Sequence, residues 1–159
     1  MLFSENFGTK ATTDTYINSY DGWENTSVSY SGTTLMIVKA SSDSMLYPDA
    51  SGGCCLFYSL GNRSFTVSGI NTSGATSLVL TFGLSNSAGG TLSASDIQVS
   101  VDENESGIPL TLTPTVTAYD KWSLVTVSSG VPASALLTLN ITAKRNNMLV
   151  DDLRITGIK

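Results

Sequence analysis

The strongest constraint on this chain is a period of two. Short runs alternate apolar with polar side chains, and Gly, Ser, Asn or Pro separates one run from the next. Ile97, Val99 and Val101 share one side of such a run, and Leu78, Leu80 and Phe82 share one side of another. Successive side chains of a strand point to opposite faces, so this spacing reads as β-strand. Nowhere is the i, i+3, i+4, i+7 spacing of an amphipathic helix sustained. Strands are expected over 2–7, 23–30, 33–40, 54–60, 64–70, 77–84, 97–101, 110–116, 122–127, 136–143 and 149–158. Turns are expected at 31–32, 61–62, 71–75, 131–133 and 144–147, loops at 41–53 and 85–90, and a hairpin tip at 102–107. Pro114 removes a ladder donor, which suits its run to a sheet edge. A chain of 159 residues with this pattern is expected to be one domain, 1–159, folded as an all-β, two-sheet sandwich of jelly-roll type.

Composition narrows the function classes. Ser and Thr number 24 and 20, while charged residues make up only 13%. Thr is favoured in strands and Ser sits easily in turns, so the bias fits exposed strand faces. The net charge is −5 with eight Lys and Arg dispersed along the chain, which argues against a nucleic-acid partner. No apolar run approaches the ~20 residues that span a bilayer, so membrane insertion is not expected. No signal peptide is visible, Met1 being followed at once by strand-like sequence, and the chain reads as a mature domain or as a piece cut from a longer secreted protein. The adjacent Cys54 and Cys55 read as two free thiols with at least one buried, a vicinal disulfide being the alternative. Asn-X-Ser/Thr at Asn25, Asn62, Asn71, Asn104 and Asn140 would matter only in a eukaryotic secretory host.

Catalysis finds little to work with. The chain has no His, so no Ser-His or Cys-His pairing can be assembled. A glycosidase needs two carboxylates across a cleft, ~5–10 Å apart, and only four Glu exist, two of them (Glu103 and Glu105) in the expected hairpin tip. Gly52-Gly53 and Gly89-Gly90 lack the spacing of a phosphate-binding loop. The chain is read as not an enzyme.

The two ends carry the most specific signal. Phe3, Glu5 and Phe7 fall on one face of the first strand, and Asp151, Leu153 and Ile155 on one face of the last. Each terminal strand thus aims a carboxylate the same way as its core residues. An inward carboxylate is costly unless paired or bound to a cation, which suggests an oxygen-ligated metal clamp where the termini pair. Other readings stay open. Glu5 could accept backbone N–H groups or pair with Arg154 or Lys39, and Asp151 and Asp152 could be solvated at a strand end. A slip of one residue would turn Asp152 inward and Asp151 out.

These motifs resemble a known group. Phe3-x-Glu5-x-Phe7-Gly8, Trp23, the late Trp122 and Pro132, and the closing Val150-Asp151-Asp152-Leu153-x-Ile155 are similar to the secreted jelly-roll modules of galactose-binding-like fold. Such modules are abundant in Bacteroidetes surface proteins and include carbohydrate-binding modules and choice-of-anchor adhesin domains. The pair 65–70 and 78–83 looks like that group's core strands. The resemblance implies a structural Ca2+ held by Glu5 and Asp151, with Asp152 as second candidate, in all-oxygen ligation. It implies a non-catalytic extracellular or cell-surface module that binds a glycan, accessory to other domains of a longer glycan-processing protein. The alternative is a structural or adhesive spacer, or a protein-binding domain.

Sugar-binding modules of this kind use exposed aromatics beside amides and carboxylates. Among Trp23, Tyr30, Tyr47, Tyr58, Tyr119 and Trp122, the two in loop-like positions are Tyr47 and Tyr119. Trp23 and Trp122 match positions read as core. Asn146 and Asn147, next to Arg145, form a polar tip able to bond hydroxyls, although tips of this composition are commonly plain turns. Asp102, Glu103 and Glu105 read as a solvated hairpin tip.

Overall fold

The computed structural model describes residues 1–8, 13–40 and 47–159. The expected loop residues 41–46 lie outside them. The described residues form the strands β1 (Phe3–Glu5), β2 (Thr15–Tyr16), β3 (Ser29–Gly32), β4 (Met36–Ala40), β5 (Cys54–Tyr58), β6 (Arg63–Ile70), β7 (Thr76–Asn86), β8 (Ile97–Glu103), β9 (Leu110–Leu112), β10 (Thr115–Ala118), β11 (Trp122–Val127), β12 (Leu137–Ala143) and β13 (Met148–Ile158). The helical segments among them are two single 3-10 turns, Ile17–Ser19 and Ala94–Asp96.

The strands build two antiparallel sheets. The larger runs β10-β11-β7-β13-β5-β4-β2, with β1 also on β13, and the smaller runs β3-β6-β12-β8-β9. Their facing sides make the core. The smaller sheet contributes Phe65, Val67, Val99, Leu139 and Ile141, and the larger Leu56, Phe82, Leu84, Val150 and Leu153. All of these are fully buried, each contributing about 1.5–3 kcal/mol. Tyr58 is buried among them and places its hydroxyl on the Ile141 carbonyl at 3.1 Å, crossing the sandwich.

The termini meet as expected. In β1 and β13, Phe3 pairs with Ile155 and Glu5 with Leu153. The parity expected for β13 does not hold, because a β-bulge interrupts it. Asp151 pairs with Gly83 while Arg154 pairs with Thr81, so one extra residue is inserted. Asp152 takes φ +52, the left-handed region that Asp tolerates better than most residues. Val150 and Leu153 therefore both reach the core, and Asp151 does not share a face with Leu153. At this bulge β13 also changes neighbour, from β5 at Met148–Val150 to β1 at Leu153–Ile155.

Two further expectations change. The segment 23–28 is a loop, because Asn25 folds it back: its Oδ1 accepts the N–H of Ser27 at 3.1 Å and the Ser27 hydroxyl at 2.6 Å. Ser31 and Gly32 continue β3, and the turn follows at 33–35. The run through Pro114 is two edge strands, β9 in the smaller sheet and β10 in the larger. A residue without an N–H stands where the chain changes sheets.

Candidate functional site

Glu5 is buried, and its carboxylate is fully occupied. Oε1 accepts the N–H of Phe7 at 2.7 Å and of Glu24 at 3.3 Å, while Oε2 accepts the N–H of Asn25 at 3.0 Å and the Tyr30 hydroxyl at 2.6 Å. Burial, then the Glu5 hydrogen bond, raises the Tyr30 phenol far above its usual range. Asp152, also buried, accepts the Tyr47 hydroxyl at 2.6 Å and the Ser51 N–H at 2.9 Å on Oδ2, and the Arg154 guanidinium at 2.9 Å on Oδ1. Asp151 is fully buried. Its Oδ1 accepts the N–H of Asp152 at 2.7 Å, and its Oδ2 has no partner. Burial and then the Asp152 charge raise the Asp151 carboxyl to about 9, against the opposing Asp152 N–H and Arg154.

This donor set does not fit calcium. The oxygens of Glu5 and Asp152 face N–H and O–H hydrogens, where a cation would be repelled. Among the described residues no group of three or more His, Cys, Asp or Glu side chains is placed to share an ion. Each acid instead ties its own strand to a loop: Glu5 ties β1 to the loop before β3, and Asp152 ties β13 to the loop before β5.

The four residues expected to bind sugar fall in three places: Tyr47 in the loop before β5, Tyr119 at the β10–β11 turn, and Asn146 and Asn147 at the β12–β13 turn. Tyr47 is buried at 6% exposure, so its ring offers no stacking face. It packs on Trp122, with ring centroids 5.9 Å apart, and lies over Gly83, where a Cβ would meet the phenol Cζ at 2.5 Å. Burial, then the Asp152 hydrogen bond, raises its phenol well above the ordinary value. Tyr119 is exposed at the β10–β11 turn, where its N–H bonds the Trp122 carbonyl. Asn146 and Asn147 form the β12–β13 turn. The Oδ1 of Asn146 accepts the Gly61 N–H at 2.7 Å, and Asn147 takes φ +62. Trp23 is half-buried, stacked on Tyr30 with centroids 4.0 Å apart.

The structure offers another site instead. Adjacent strand residues point to opposite faces, so Cys54 enters the core while Cys55 joins Tyr47 and Trp122 in a second cluster on the outer face of the larger sheet. Beside that cluster lies a groove of about 450 Å³. Trp122, Leu149 and Ser85 line it together with Lys39, Asp120 and Lys121, and the turn after β7 adds Ser87, Gly89 and Gly90. Apolar carbon therefore lies beside hydroxyl, ammonium and carboxylate groups. Cys55 also lines the groove, but burial and then the Asp151 charge push its thiol up to about 12, so it is not a nucleophile at neutral pH. The groove was not legible in the sequence because its residues come from β4, β5, β7, β11 and β13 and from the turns after β7 and before β11, and each alone looks like an ordinary strand or turn position.

Among solved structures the chain is similar to the CBM22-1 xylan-binding domain of Paenibacillus barcinonensis Xyn10C. The two align with a TM-score of 0.55 at 15% identity, over 99% of this chain and 94% of that one. The chain is a jelly-roll β-sandwich. At that identity the likeness is one of fold. The carbohydrate-binding module CBM6cm-2 of Cellvibrio mixtus lichenase 5A, solved with cellotriose, aligns over 99% and 98% of the two chains at 12% identity, with a TM-score of 0.46 that adds nothing further. No protein-family model and no curated protein matches the sequence.

Proposed function

We propose that this chain is a non-catalytic carbohydrate-binding module that holds a glycan in the groove on the outer face of its larger sheet, as part of a longer secreted or surface protein. The observation that carries this reading is the groove's lining. A sugar ring has an apolar C–H face and a rim of hydroxyls, and the groove sets the partly exposed Leu149, next to the buried Trp122, beside Lys39, Asp120 and Lys121. The similarity to a xylan-binding domain supports the same class of ligand through fold alone. Asp120 is the one carboxylate among the residues that line the groove, whereas glycoside hydrolysis uses a pair.

A glycan array that includes xylan tests the proposal. Binding is expected for the parent protein and is expected to be lost in Lys39→Ala and Asp120→Ala, both at partly or fully exposed positions. The spacer reading is favoured by one observation, the burial of Tyr47, Tyr58 and Trp122. Silence of the folded protein across the array would decide for it.

A further inference from the structure

The exposed apolar side chains of this molecule are not scattered. β8 runs from Ile97 to Glu103 against β12, where Ala143 pairs with Ile97 and Leu137 with Glu103, and Ala143 also pairs with Arg63. One end of the sandwich therefore carries Arg63, Lys144 and the turns around them. The other end, about 20 Å away along the strands, carries the β8–β9 tip. Tyr16, Leu35, Leu60 and Tyr119 are exposed at the first end, and Met1, Ile108, Leu110, Leu136 and Ile158 at the second. Among the described residues these are all the large apolar side chains that are exposed. Apolar surface gathered in this way marks a place of contact.

The two ends differ in shape. The β8–β9 tip is a preformed knob. Asp102 accepts the Gly107 N–H at 2.9 Å, Ser106 accepts the Ile108 N–H at 3.2 Å, and Asn104 donates its N–H to the Leu136 carbonyl at 2.8 Å. Ile108, the most exposed of the apolar side chains, projects from this tip. The opposite end holds a cavity of about 180 Å³ lined by Tyr16, Asn18, Thr34 and Leu35, with no charged residue in its lining. A cavity of ~150 Å³ holds a benzene-sized group, so an isoleucine side chain fits. The turn that forms its wall is fixed, since Thr33 donates its N–H to the Ser64 carbonyl at 3.0 Å and its hydroxyl oxygen accepts the Ser64 N–H at 3.1 Å. Those bonds also set Arg63 beside the cavity. Leu35 takes φ +72, a conformation unfavourable for a leucine that the surrounding bonds maintain.

Charge separates the same way. Asp102, Glu103 and Glu105 stand at the knob end against Lys159. Arg63, Lys144 and Arg145 stand at the cavity end against Asp96, which Arg145 pairs at 3.5 Å, while Asp120 and Lys121 of the β10–β11 turn offset each other. The Nε of Arg63 is buried without a hydrogen-bond partner. The geometry points to a second copy of this chain as the partner, docked head to tail. Ile108 of one copy enters the cavity beside Leu35 and Tyr16 of the next, and Glu103 and Glu105 meet Arg63 and Lys144. Like ends repel, which disfavours a two-fold pairing of knob with knob. A knob-to-cavity contact leaves each copy with one free end, so association continues into short linear chains. One tip buries little area, so a Kd on the order of 0.1–1 mM is expected.

The test is sedimentation velocity on the parent protein from about 10 µM to about 2 mM, a range that brackets the expected Kd. The weight-average coefficient is expected to rise with concentration, and to rise less in ~0.5 M salt. Ile108→Asp puts a charge on the knob at an exposed position. Leu35→Gly removes a wall of the cavity and suits the left-handed backbone there. Both are expected to keep the near-ultraviolet circular dichroism of the parent and to associate at least tenfold more weakly. Tyr16→Ser, at an exposed position on the same cavity, is expected to behave as Leu35→Gly does. Ile108→Asp keeps a working cavity and Leu35→Gly a working knob, so an equal mixture of the two is expected to form a dimer and stop there. A parent protein that stays monomeric throughout, cavity variants that associate like the parent, or a mixture that recovers nothing or grows past the dimer overturns the head-to-tail contact.

Discussion

At the residue scale, the buried acids decide how this protein responds to pH and to chelators. The Asp151 carboxyl titrates at about 9 in the fold and near 3.9 in an unfolded chain. Over that window the folded state keeps a proton that the unfolded state has released. Stability from this group is therefore complete below about pH 4 and is lost as pH rises towards 9. Asp151→Asn removes the titration while its Oδ1 still accepts the Asp152 N–H. Urea midpoints are expected to fall less steeply between pH 5 and pH 9 in the variant, with a gain of ~2 kcal/mol or more at pH 8, since a tenfold difference in proton affinity between the two states is worth ~1.4 kcal/mol. An unchanged slope would mean that the Asp151 charge is compensated. Glu5 calls for the opposite expectation. Glu5→Gln turns one of two oxygens that face four donors into a donor itself, so a loss of ~2–4 kcal/mol is expected. Because hydrogen bonds hold this end, the loss is expected to be equal in EDTA and in calcium, and the parent midpoint is expected to be unmoved by EDTA. A loss confined to calcium-containing buffer would return the ion to Glu5.

At the scale of elements, the bulge in β13 and the glycine opposite it act as one unit. Asp152 accepts the Tyr47 hydroxyl, and the ring can lie flat on the sheet only because Gly83 has no side chain. Gly83→Ala would drive a methyl into the phenol and is expected to cost ~1–3 kcal/mol. In a Tyr47→Ala background the same change is expected to be nearly neutral, so a double-mutant cycle by chemical denaturation reads the coupling directly. Additive losses would show that the ring does not rest on Gly83. This pair also marks the limit of what the chain discloses before folding. Alternation located β8, β11 and β12 well, because one face of each is buried and the period holds, and β5 was legible as a compact apolar run. The bulge left no such mark, since an inserted residue is defined by the partner strand and Asp151-Asp152 reads equally well in either parity. Tyr47 looked exposed because it lies within an expected polar loop, whereas its burial depends on a glycine 36 positions away in the chain. The meeting of the termini was legible because each end carries apolar residues and a carboxylate at matching spacing, but two of the four donors that satisfy Glu5, the N–H groups of Glu24 and Asn25, come from a loop expected to be strand.

At the scale of the whole molecule, β1 does more than its three residues suggest. It adds a strand to the larger sheet, while Glu5 bonds Tyr30 of the smaller one, so it pins the two layers together. Phe3 and Phe7 are both buried, and losing one such ring costs ~3–5 kcal/mol. Removing residues 1–7 would take both rings and all four Glu5 hydrogen bonds out of a fold whose total stability is expected to be ~5–15 kcal/mol, so the truncated chain is expected to be unfolded. What the fold needs is the β1–β13 contact, not the chain ends themselves. Phe3 lies opposite Ile155 in antiparallel register, which brings Met1 near Gly157 and lets a short Gly-Ser linker join Lys159 to Met1. The β8–β9 hairpin tip is the natural place to reopen the chain, with Ile108 exposed at 78%, because breaks at exposed loop tips are tolerated best. A permutant opened between Gly107 and Ile108 is expected to melt cooperatively within a few degrees of the parent, whereas the 1–7 deletion is expected to give no cooperative melt and no near-ultraviolet circular dichroism. If the deletion folds, β1 is an appendage and the sandwich closes without it; if the permutant fails while the parent folds, the order in which the strands are joined matters more than the contact between the ends.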